Sequence, residues 1–141
     1  MMNSKTLTIL VLFTLSLNFA MSQAILGKWK TVDDKTGTEK SIVEIYEKEG
    51  KVYGKVVEIL RESKKGVICK KCEGKDKNKP VLGMDIIKAL EKDGDVYSDG
   101  TITNPENGKV YDCRIKVEDG KLQVRGYVAF FYRTQYWLPV E

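Results

Sequence analysis

Histidine is absent from the 141 residues, and cysteine and proline occur only three times each. Without imidazole there is no Ser-His-Asp or Cys-His nucleophile and no HExxH zinc site. No side chain has an unperturbed pKa that would place a pH switch near neutrality. There is also no Gly-rich phosphate loop ahead of a helix and no Asp-x-Asp calcium loop. With 42% apolar and 31% charged residues, what remains has the composition of one ordinary globular domain. The formal net charge of +4 arises from acids and bases that alternate along most of the chain. So small a surplus does not call for a polyanion, and no nucleic-acid partner is expected.

The only long apolar run lies at the start. Lys5 is followed by Leu7 to Ala20 (LTILVLFTLSLNFA), and Ala20-Met21-Ser22 puts small residues where a signal peptidase reads them. The expectation is a signal peptide over residues 1–22, cut before Gln23, with a cut before Ile25 as the second choice. The run is shorter than the roughly 20 apolar residues that span a bilayer. Residues 23–141 are then a single periplasmic or secreted domain with no integral membrane span.

From Leu26 onward, short runs rich in Val, Ile and Tyr alternate with turn residues. Strands are expected near 26–32, 40–48, 51–60, 81–91, 95–102, 109–117, 121–129 and 132–140. Glu49-Gly50, Asp93-Gly94, Asn107-Gly108 and Asp119-Gly120 readily supply the positive φ that tight turns need. The connections are mostly too short for crossover helices, so neighbouring strands should pair antiparallel. The expected fold is all-β: one eight-stranded up-and-down barrel, closed so that no edge is left open. Residues 81–91 fit a short helix as an alternative.

Period-two alternation assigns faces. Tyr111, Cys113, Ile115 and Val117 share one face, as do Leu122, Val124, Gly126 and Val128. Trp29, between Lys28 and Lys30, should point inward. Strands 40–48 and 51–60 are apolar on both faces, so an outer cover is expected there. The candidates are the Lys-rich 61–80 loop or a second subunit, and the loop needs no partner. A monomer is therefore expected, with a dimer as the alternative.

Cys69-Lys70-Lys71-Cys72 is the sharpest local motif. In an exported chain it suits a small disulfide staple, and its lysines would also suit a redox pair. Loop residues follow it rather than the helix of a thioredoxin-type site. Pairing of Cys69 or Cys72 with Cys113 stays open, as does a free, buried Cys113. Zinc would need a fourth ligand that no spacing supplies, so no metal or cofactor is expected. No two carboxylates stand out as an acid/base pair, and no catalytic residue is assigned.

Six aromatics fall within Gly126–Trp137. They suit core packing, or a concave site for a small apolar or amphipathic ligand oriented by Arg133 and Gln135. Trp29, Tyr46, Tyr53, Arg133, Gln135 and Trp137 are the candidate contacts. If Arg133, Gln135 and Trp137 point inward, the interior holds polar groups that ligand or water must satisfy. The rival reading is an envelope interaction protein with a filled barrel.

Gly27-x-Trp29 with Arg133 in the last strand resembles the signature of lipocalin-like barrels, which implies a Trp closing one end and an Arg packed across it. The mature chain also resembles the exported bacterial domain-of-unknown-function family 2147. That resemblance rests on Glu44-Ile45-Tyr46, Gly54-Lys55, Cys69-x-x-Cys72, Gly83 and Asn104-Pro105-Glu106-Asn107-Gly108-Lys109-x-Tyr111, with Cys113. Arg125-Gly126-Tyr127 and Arg133-Thr134-Gln135-x-Trp137 complete it. It implies an exported small β-barrel of unestablished activity and brings no catalytic residues.

Overall fold

The computed structural model describes residues 24–140. The expected signal peptide, 1–22, and its cut site lie outside the described residues. Eight strands run in chain order: β1 (Gly27–Val32), β2 (Glu39–Lys48), β3 (Lys51–Ile59), β4 (Asp85–Asp93), β5 (Val96–Thr103), β6 (Val110–Glu118), β7 (Lys121–Val128) and β8 (Phe131–Pro139). Each pairs antiparallel with the next, and β8 pairs back to β1, closing the barrel. The closing seam is short: Trp29 faces Pro139 and Lys30 faces Leu138.

Three turns of two residues, Glu49–Gly50, Gly94–Asp95 and Asp119–Gly120, sit at one end. The first residue of two of them and every glycine have positive φ, as such hairpins require. The other end carries the connections 33–38, 60–84, 104–109 and 129–130.

Alternation sets the inner face, and side-chain size sets what that face encloses. Near the tight turns, Trp29, Ile45, Leu90, Ile115, Leu122 and Trp137 are buried and fill the cylinder. Toward the long loops the inward residues shrink: Trp29 gives way to Thr31, Val43 to Ser41, and Leu122 through Val124 to Gly126. The barrel is filled at its base and hollow above. The outer face of β6 carries Asp112, Arg114 and Lys116. That is a water-facing pattern, unlike the apolar band of a lipid-embedded barrel.

The segment 81–91 proves to be strand rather than helix, but it starts later. Val81 and Met84 are buried in a turn that leads into Asp85. Within β4, Ile87 and Leu90 both point inward although three residues apart, because Ala89 takes φ +58° and forms a bulge. The opposite strand answers with Gly100, where a Cβ would collide with the Lys88–Leu90 backbone.

The 60–84 connection has two short 3-10 turns, Glu62–Lys64 and Gly74–Asp76. Between them Cys69 and Cys72 form a disulfide, and both are buried. The Cys69 sulfur lies 3.4 Å from the Pro105 carbonyl oxygen, and Gly108 packs so tightly on Lys71 that a side chain there would collide with its carbonyl. The staple therefore holds the long loop against the 104–109 turn. Replacing Cys69 and Cys72 together by Ser should lower the unfolding free energy by about 2 kcal/mol, the loop-closure entropy of so small a ring. Far-UV circular dichroism should keep its sheet signal; its loss would show that the staple holds the barrel itself.

Candidate functional site

The hollow half of the barrel is a cavity of about 700 Å³ that opens between the long loops. Val56, Ile86, Ile102 and Val124 make its wall apolar, and Trp137 lies at its inner end. Cavities of this size suit a small organic ligand. Gly126 widens it: the backbone approaches Tyr111 and Ile102 with no side chain between.

Polar groups are spaced up the wall. Thr31 Oγ1 and Ser41 Oγ are hydrogen-bonded at 2.7 Å. The Trp137 indole N–H donates to Gln135 Oε1 at 3.3 Å. At the mouth, Arg133 pairs with Asp34 at 2.8 Å and Arg61 with Asp33 at 3.7 Å. Backbone N–H groups of Lys35 and Thr36 hold the Asp33 carboxyl below its ordinary pKa and shape the β1–β2 loop. No buried side-chain nitrogen or oxygen lacks a partner among the described residues. That holds for fully buried atoms; the Gln135 amide nitrogen and most of the Arg133 guanidinium face the open cavity and its mouth.

The mouth is cationic. Lys40, Arg61, Lys64, Lys70, Lys71 and Arg133 line it, against Glu106 and the Asp33 and Asp34 that pair with Arg61 and Arg133. Lys40 reaches Glu106 at 3.6 Å, while Lys64, Lys70 and Lys71 have no acidic partner among the described residues. The charge that looked evenly spread along the chain is concentrated where the loops converge.

Of the six residues put forward from sequence, Arg133, Gln135 and Trp137 line the cavity together. The other three do not. Trp29 lies in the filled base, its Nε1 donating to the Ile25 carbonyl at 2.8 Å. Tyr46 and Tyr53 stand on the outer face, because their neighbours Ile45 and Val52 take the inward positions. Their rings stack across β2 and β3 with centroids 5.8 Å apart. The Tyr46 hydroxyl donates to Asp85 Oδ1 at 2.6 Å, and burial together with that carboxylate pushes its pKa up. The stacked tyrosines cover part of this face, and the 60–84 loop reaches the outer side of the neighbouring β4, where Asp76 pairs with Lys88.

Arg133 also departs from the lipocalin expectation. β8 runs antiparallel to β1 with Trp29 opposite Pro139, so Arg133 lies six residues, or roughly 20 Å, further toward the mouth. It does not pack across Trp29. Cys113 is a free thiol on the inner face, and burial pushes its pKa up to about 12, so it stays protonated and inert. Both bonded cysteines are buried as well, on either side of the exposed Lys70 and Lys71. Sequence reasoning missed the rim cations and the Thr31–Ser41 pair. The falling side-chain size along each inner face was a usable signal for the hollow.

A closed eight-stranded up-and-down barrel, filled at one end and hollow at the other, is a lipocalin-like fold. The chain belongs to the family described as uncharacterized protein conserved in bacteria (DUF2147), whose profile matches residues 27–138. A similar solved structure is protein HP1028 from Helicobacter pylori, described as belonging to the lipocalin family. The two share a TM-score of 0.71 and 22% identity, over 83% of each chain. That identity speaks for the fold alone. No curated protein matches the sequence.

Proposed function

We propose that this is an exported binding protein that holds one small amphipathic molecule, apolar part inward and polar part at the mouth. The observation that carries this reading is the hollow half of the barrel, about 700 Å³ and walled by Val56, Ile86, Ile102 and Val124. Burial of an apolar chain there would supply affinity, at about 25 cal/mol per Å² removed from water. Gln135 and Arg133, above that wall, would orient the polar part. The Cys69–Cys72 disulfide and the cleavable leader read from sequence support export. A side-chain-filled barrel, the rival reading, fits only the base.

Protein purified from its native host should yield one molecule, or a narrow class, on solvent extraction and mass spectrometry. The same protein after extraction should take up a fluorescent amphiphile such as 1-anilinonaphthalene-8-sulfonate, and Gln135→Leu should weaken that uptake. Protein that is reproducibly empty and gives no saturable probe signal would sink the reading.

A further inference from the structure

We propose that the mouth end of the barrel docks on the surface of an anionic lipid bilayer, with the Phe130–Phe131 hairpin tip entering the interface and the rim lysines meeting the headgroups. Phe130, in the two-residue turn between β7 and β8, is 83% exposed, and Phe131, the first residue of β8, is 72% exposed. Single exposed apolar side chains are common on proteins. Here they gather. Of the eleven large apolar side chains exposed among the described residues, eight lie in the mouth-end loops or within two residues of them. Val67, Ile68, Val110 and Val128 are among these, and only Leu26 and Val140 lie at the base.

Charge divides the same way. The four mouth-end connections hold ten Lys or Arg residues and six Asp or Glu. The three base turns hold Glu49, Asp95 and Asp119 and no base at all. With the strand residues that flank them, the base turns carry Lys48, Lys51 and Lys121 against Glu49, Asp93, Asp95, Glu118 and Asp119, so an anionic surface favours the mouth end. Apolar tips among basic side chains are the pattern by which peripheral proteins enter a headgroup layer. The tips stand on separate loops around an opening, not on one flat face. A soft interface accommodates that shape, whereas a rigid protein partner would need a continuous patch. Docking places the cavity mouth against the bilayer, yet it requires nothing of what the cavity holds.

The test is sedimentation of the folded protein with vesicles of phosphatidylcholine alone and of phosphatidylcholine mixed with phosphatidylglycerol. Binding is expected only to the anionic vesicles and should weaken with salt. The exposed pair Phe130→Ser with Phe131→Ser should reduce it by about tenfold or more. Reversing Lys64, Lys70 and Lys71 to Glu should reduce it by about a hundredfold or more. All these side chains are exposed, so unchanged melting temperatures would show that the variants fold. A Phe130→Trp variant should shift its emission to the blue on anionic vesicles. A cavity filled by Gly126→Trp should dock as before even where probe uptake is lost, separating this proposal from the binding function. Absence of vesicle binding, or binding that survives loss of both Phe130 and Phe131, would overturn it. So would a Phe-dependent dimer in sedimentation velocity without vesicle binding, since the occupant would then be a second copy.

Discussion

Trp29→Ala is expected to lower the unfolding free energy by about 3–5 kcal/mol. The side chain is 6% exposed and lies on the inner face where the barrel is filled. It stands opposite Val43 on one side and Pro139 on the other, so it bridges β2 and β8 across the short closing seam. Truncation leaves an indole-sized void and releases the tie to the Ile25 carbonyl. For a domain whose stability is about 5–15 kcal/mol, such a loss removes a large share. Urea unfolding followed by circular dichroism measures it. Trp29→Phe should recover most of the loss, because it restores volume and forfeits only the N–H. A change under about 1 kcal/mol for the alanine variant would mean that the base relies on other side chains.

Gly126→Trp should abolish ligand uptake, with an affinity loss of about a hundredfold or more, or about 3 kcal/mol at the tenfold equivalence. A Cβ at Gly126 would lie 3.4 Å from Tyr111 and 3.7 Å from Ile102, ordinary contact distances, so the backbone tolerates a side chain there. The indole then has the hollow to occupy. Stability should hold or rise by about 0.5–2 kcal/mol, as cavity filling commonly gives. Probe titration together with a urea curve separates the outcomes: a stable barrel that cannot bind is expected. Undiminished binding by a folded variant would place the ligand elsewhere.

Much of the fold was legible because its signals are local. Glu49-Gly50 and Asp119-Gly120 marked hairpins, and alternation placed Cys113, Ile115, Leu122 and Val124 inside, where they are buried. It failed at two positions of β7: Val128, expected inside, is exposed at the mouth, and Gln123, expected in water, is buried by its bonds to Glu118 and Tyr136. The β4 bulge was hidden, since nothing near Ala89 announces positive φ until Gly100 is known to lie opposite. Tyr46 and Tyr53 were misplaced for a related reason. Ile42 and Tyr46 alternate with Val43 and Ile45, and Tyr53 and Val57 with Val52 and Val56, so both faces of these strands are apolar and parity alone could not decide. Arg133, Gln135 and Trp137 were found because three inward positions in one strand carry their own alternation. The cationic rim was not legible, because Lys40, Arg61, Lys70 and Arg133 meet only when loops remote in sequence converge.

The inner-face taper divides labour along the axis. Trp29, Leu90, Ile115 and Leu122 anchor folding at the foundation, whereas Thr31, Ser41 and Gly126 contribute little packed volume. Substitutions in that upper tier cost the scaffold little, so it is free to drift toward new cargo. Diverging copies of this gene should vary fastest around the opening while the foundation stays fixed.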